Sequence, residues 1–209
     1  MTAQEKFELL MQEIEKFLST EGFRRSGKCF RKQMPDGKVL WNIEPQKSRY
    51  NTAEEVKFTF WVHAKWKHRP AWYQDWEPKS TWYGGTGGRI GDLMPQKQDT
   101  WWEITDGTSI EFLSDQINAV FNSSVLPFLQ QFQTEQEIKN YLRACSNDSM
   151  RRNYPHALQM LAFDLLENKS KPEIEKSVEN VRYLGKIYRV DKTVVEEAIQ
   201  RVLKTYDNN

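Results

Sequence analysis

The apolar positions of this chain change period twice, and the changes divide it into three stretches. Phe7, Leu10, Met11, Ile14, Phe17 and Leu18 recur at helical spacing, which predicts one amphipathic helix ending before Gly22. From Gly22 to about Thr105 the period becomes two. Phe30 to Met34, Val39 to Gln46 and Val56 to Trp66 alternate like half-buried strands. Between the first two, Pro35-Asp36-Gly37 supplies a fixed φ, a side-chain acceptor and then a permissive φ, which together make a turn. In the longest strand Val56, Phe58, Phe60, Val62, Ala64 and Trp66 share one face, expected to be core. Lys57, Thr59, Trp61, His63 and Lys65 share the other, expected to be wet.

A short strand from Asp99 to Thr105 and a helix from Thr108 to about Gln131 follow. Beyond Thr134 the strand signal disappears, and four helices are expected at 135–145, 155–167, 171–185 and 192–206. Leu158, Leu161, Ala162 and Leu165 form one apolar stripe. Ile174, Val178, Val181, Tyr183 and Leu184 form a second, and Val194, Val195, Ala198, Ile199, Val202 and Leu203 a third. Such stripes can close a small bundle. Capping boxes mark helix starts at Thr2/Glu5, Thr108/Glu111, Thr134/Glu137 and Ser170/Glu173. The expected fold is therefore α+β: an antiparallel sheet of about four strands flanked by helices over residues 1–132, then an all-α C-terminal subdomain over 133–209.

Residues 67–99 interrupt the alternation with Pro70, Pro78 and Pro95, a Gly84-Gly85-Thr86-Gly87-Gly88 run, and Trp72, Tyr73, Trp76, Trp82 and Tyr83. A connection this long without periodicity points to function or mobility. The glycine run departs from both the dinucleotide-binding and the Walker spacing, so it is read as a mobile turn leading into Arg89. Arg89 then clamps an anion or staples the loop to the sheet.

Composition narrows the partners. Among 209 residues, 38% are hydrophobic and mean hydropathy is −0.78, enough for a packed core beneath a strongly polar surface. Thirty basic against twenty-nine acidic residues leave a formal charge of +1, which removes global charge as an argument for nucleic acid or an anionic membrane. Lys65-Trp66-Lys67-His68-Arg69 interleaves cations with rings as single-strand binding would, but Asp75, Glu77 and Asp92 intrude and nucleic acid is disfavoured. No stretch reaches the roughly 18 apolar residues of a membrane span, and the N-terminus lacks a signal-peptide pattern, so a soluble cytoplasmic protein is expected. Cys29 and Cys145 are far apart and expected to be reduced. His63, His68 and His156 show no ligand spacing, so neither metal nor cofactor is expected.

Within residues 22–112 the order of several short strings is informative. Gly22-Phe23, Phe30-Arg31, Trp41-Asn42-Ile43 leading into Gln46-Lys47-Ser48, Asn51, Phe58-Thr59-Phe60, Arg89-Ile90-Gly91 and Trp101-Trp102 stand in a sequence that resembles the bacterial family called Domain of Unknown Function 4304. The resemblance implies a helix-plus-sheet domain of unassigned activity. The aromatic and Gly-rich segment before Arg89 and the helical C-terminal third depart from it, and it lends neither of them a role.

The candidate surface is the second sheet face, where Arg31, Asn42, Glu44, Gln46, Thr59, Trp61, His63, Trp101 and Glu103 are expected together. Indoles among hydrogen-bonding groups offer large contact area at low entropic cost. The competing reading is that a helix or the 67–99 segment covers this face and the indoles are simply packed. The leading functional expectation is a non-enzymatic protein-interaction module with a Trp-rich loop. Its binding residues would be Asn42, Gln46, Trp61, His63, Trp72, Trp76, Trp82, Arg89 and Trp101, with no catalytic residue. The alternative is a small-ligand binder or an unrecognised enzyme, with a pocket roofed by residues 67–99 and walled by Trp61, Trp101 and Arg89. Cys29 with His63 suggests a thiol and base, although nothing in the sequence depresses the thiol pKa.

Overall fold

The structure, a computed structural model, describes residues 1–66, 85–147 and 154–206. Among these, contacts gather the chain into two compact units, the first holding 1–66 and 86–135 and the second 85, 136–147 and 154–206. The architecture is α+β, as the periodicity predicts.

In the first unit, helix α1 (Ala3–Thr20) starts at a capping box in which Thr2 and Glu5 exchange hydrogen bonds. Its stripe of Phe7, Leu10, Met11, Ile14 and Leu18 is buried. The strands are β1 (Arg24–Ser26), β2 (Cys29–Gln33), β3 (Val39–Lys47), β4 (Val56–Trp66), β5 (Gly85–Arg89) and β6 (Trp102–Ile104). They form one sheet in the order β1-β2-β3-β4-β5, with β6 also pairing β4. The ladders of β1–β2, β2–β3, β3–β4 and β4–β6 are antiparallel. The β2–β3 turn closes as its residues dictate: Gly37 takes φ 71°, its N–H bonds to the Met34 carbonyl at 2.9 Å, and Asp36 accepts from the Lys38 N–H at 2.8 Å. Between β3 and β4 the side chain of Asn51 stands in for a strand, accepting from the Lys57 N–H at 2.9 Å and donating to the Lys57 carbonyl at 3.0 Å.

Two strands escape the sequence reading. β1 has three residues, too few for alternation to register. The glycine run, read as a mobile turn, is instead β5 against β4. Its missing side chains explain this: a Cβ on Gly87 would lie 2.0 Å from the Val62 carbonyl oxygen, and its φ is 142°. Only glycine lets the backbones approach this closely in that conformation.

After β5 come α2 (Ile90–Leu93) and β6, then one long helical rod. The rod begins at α3 (Ile110–Val120), widens to a π-turn at Phe121–Val125, and ends as α4 (Leu126–Leu129). Pro127 supplies the cause of the widening, because it donates no hydrogen bond and its ring would collide with the carbonyl four residues back. The rod starts one residue later than its capping box suggests: Ser109 caps it at the Phe112 N–H, while Thr108 accepts from the Thr105 N–H instead. Its buried face, with Ile117, Phe121, Val125 and Leu129, completes the core with α1 and the apolar side of β4. Trp41 donates from the core to the Phe132 carbonyl at 2.7 Å.

The second unit contains α5 (Glu135–Asn147), α6 (Tyr154–Leu166), α7 (Lys171–Ile187) and α8 (Lys192–Tyr206). Leu158, Leu161, Ala162, Leu165, Val178, Val181, Leu184, Val195, Ala198, Ile199 and Val202 form its core. Tyr183 and Val194, assigned to the stripes, are exposed instead, because a helical stripe three residues wide leaves its flanks at the rim. Arg143 pairs with Asp164 at 3.6 Å and with Glu167, joining α5 to α6. Arg182 pairs with Glu196 at 2.7 Å, joining α7 to α8. No helix among the described residues is long and apolar enough to cross a membrane.

Candidate functional site

Register sets out the second face of the sheet row by row. Arg31, Asn42 and His63 are successive partners across β2, β3 and β4; Glu44 lies across from Trp61, and Gln46 across from Thr59. On the far edge Lys57 lies across from Glu103 and pairs with it at 3.3 Å. Continuing that register by one step past Phe58↔Trp102 brings Trp101 beside Thr59.

This face is wet only at its rim. Arg31, Lys57 and Glu103 are exposed, and Trp101 keeps 36% of its surface. Asn42 (3%), Glu44 (6%), Thr59 (0%) and Trp61 (8%) are buried, which corrects the expectation of an open polar face. Among the described residues of the first unit, side chains of this face pack on one another. The Trp61 indole donates to Gln46, the residue opposite Thr59, and so leans toward that row. The Arg89 guanidinium then lies 5.2 Å from the Trp61 ring and 5.3 Å from the Trp101 ring, within cation–π range of both.

Asp99 locks this layer. Its carboxylate accepts from Arg89 Nη1 at 2.8 and 3.0 Å and from Trp101 Nε1 at 2.9 Å. The Trp101 hydrogen bond, followed by those from Arg89, holds the Asp99 pKa below its ordinary value. Of the two roles open to Arg89, the staple is the one observed: it ties residues 99–101 to β4. Asp99 is the member that sequence reasoning missed; its only signal was a position two residues before Trp101.

Asn42 and His63 belong to a separate network. Arg31 Nε donates to Asn42 Oδ1 at 3.1 Å and Nη1 to Ser26 Oγ at 3.3 Å, while Asn42 Nδ2 lies 3.0 Å from His63 Nε2. Thus Gln46, Trp61, Arg89 and Trp101 come together in one cluster, and Asn42 and His63 in the next row. Trp72, Trp76 and Trp82 lie outside the described residues, as does the greater part of the proposed roof.

Cys29 is buried. Desolvation, then the charge of Glu44, pushes its thiol pKa up, the reverse of what an activated nucleophile needs. Glu44 itself is held by Lys28 at 2.7 Å.

The arrangement of helix, antiparallel sheet and rod coincides with a family model, the domain of unknown function DUF4304, over residues 14–131. The chain belongs to this family. No curated protein and no solved structure matches it. In this DUF4304 chain the strings that carry the resemblance now have structural duties: Asn51 closes the β3–β4 connection, Phe58 and Phe60 are core, and Arg89 and Trp101 form the staple.

Thr59 supplies a test of the packed layer. Its hydroxyl is sealed in without a hydrogen-bond partner, and a buried unpaired hydroxyl costs stability. Thr59→Val is therefore expected to leave stability unchanged or to raise it by about 1 kcal/mol. Guanidinium denaturation of the full chain checks this, and a clear loss would show that the hydroxyl has a partner.

Proposed function

We propose that this DUF4304 protein is a non-enzymatic protein-interaction module, acting in the cytoplasm, that holds a protein partner on the second face of its sheet with Trp101 as anchor. One observation carries the reading. Trp101 is the accessible end of a stack already ordered by Arg89, Trp61 and Asp99. Tryptophan and arginine dominate binding hot spots, and side chains immobilised before the encounter lose little entropy during it. A free buried thiol at Cys29 suits a reducing compartment.

Trp101→Ala tests the reading. Removing a central indole from an interface costs about 2 kcal/mol or more, so quantitative capture from producing cells should lose the specific partner. The melting temperature should change little, since Trp101 lies at the rim. An identical partner set for wild type and variant would defeat the proposal. A small-ligand reading has one observation in its favour, the sealed Thr59 hydroxyl without a hydrogen-bond partner. A thermal-shift panel of nucleotides, sugars and acyl compounds that stabilises wild type but not Thr59→Val would favour it instead.

A further inference from the structure

Three arginines in β1 and β2 differ in how their charge is met. Arg25 points to the α1 side of the sheet, where its guanidinium pairs with Glu8 at 3.3 Å and Glu15 at 3.4 Å. Arg24 and Arg31 lie on the other side, directly opposite one another in the β1–β2 ladder, and both are exposed. Among the described residues neither forms an ion pair with a carboxylate.

Like charges placed directly across a ladder repel and destabilise it, so the fold retains this pair against its own electrostatics. Arg31 is also held in place. Its bonds to Ser26 and to the buried Asn42 orient the guanidinium without neutralising it, and Asn42 is in turn bonded to His63. An immobilised, uncompensated guanidinium beside a second one is suited to receive carboxylates, which match its planar fork.

We propose that Arg24 and Arg31 form the docking point for an acidic polypeptide segment, whose Asp or Glu carboxylates bridge the two guanidiniums. This rests on the protein-interaction reading above and names the class of its partner. Charge complementarity is the argument for the occupant. The same face carries Glu44 and Glu103, and the whole chain is formally only +1, which suits a short acidic segment better than the continuous phosphate track of a nucleic acid.

The test uses the full chain and a short oligoglutamate peptide. Titration followed by ¹H–¹⁵N spectra should shift the resonances of Arg24, Ser26, Arg31 and Asn42, with affinity falling as salt rises. Arg24→Gln with Arg31→Gln should weaken binding roughly tenfold or more. Arg24→Glu should abolish it while raising the melting temperature, because the repelling pair becomes an attractive one. The proposal is overturned if oligoglutamate fails to bind at millimolar concentration, or if it binds the double variant as well as wild type. Tighter binding of an oligonucleotide of equal charge to the same arginines would overturn it in favour of nucleic acid. If these fail while Trp101→Ala still loses its partner, only the acidic class is wrong. If Trp101→Ala keeps its partner, the interaction reading itself fails.

Discussion

Phe60→Ala is expected to destabilise the first unit by about 3–5 kcal/mol. Phe60 is fully buried in the middle of β4, and its ring joins three elements. It lies 5.7 Å from Phe58 on its own strand, 5.7 Å from Trp102 on β6 and 5.1 Å from Phe121 in the π-turn, edge-on in each case. Truncation would remove the burial of the ring and all three aromatic contacts, which add to the area term. It would also leave a cavity that the surroundings fill poorly, because β4 is paired on both sides and the rod is braced by its own hydrogen bonds. Guanidinium denaturation gives the magnitude. Hydrogen exchange gives the place, with protection lost first in β6, whose three residues depend on β4 and on this cluster. A loss below about 1 kcal/mol would mean that Phe60 is not central to the core.

Gly91→Ala sets local preference against packing, and packing should win by about 3 kcal/mol. Gly91 lies in α2 with no left-handed φ, so alanine there would by helix propensity be favoured by about 1 kcal/mol. The added Cβ, however, would stand 1.9 Å from the Gln98 carbonyl oxygen and 2.9 Å from the Thr100 nitrogen. Both neighbours are backbone, so no rotamer change relieves the overlap and residues 98–100 must move away. Asp99 moves with them, loses Arg89, and the stack on Trp101 opens. The expected result is a lower melting temperature together with a red shift of tryptophan emission, as indoles on the second face gain water. A stable variant with native emission would show that the 98–100 backbone gives way freely.

How much of this was legible from the sequence varies with the range of the interaction. The apolar side of β4 reads correctly at all six positions from Val56 to Trp66, since alternation records burial of one face directly. The other side does not: Thr59 is sealed, and whether a polar position meets water depends on what the tertiary structure places over it, which spacing along the strand does not record. Arg89 offered two readings, clamp or staple, and only the position of Asp99 chose between them. The rod from Thr108 to Gln131 was legible as a helix, but its π-turn belongs to Pro127, and its cap fell to Ser109 because Thr108 was engaged at Thr105. The glycine run resembled a turn by composition, yet became a strand because the β4 backbone passes too close for any side chain.

The sequence by itself determined the α+β class, the membership in the DUF4304 family, the apolar core of β4 and the four C-terminal helices. The class, the core and the helices follow from spacing along the chain, and the family from the match of residues 14–131 to its model. Only the tertiary structure decided that Gly87 admits a fifth strand, that Thr59 is sealed from water, that Asp99 locks Arg89 between two indoles, and that Arg24 faces Arg31 with no carboxylate partner among the described residues. Those outcomes depend on which distant residues sheet pairing makes neighbours, and no local period encodes that choice.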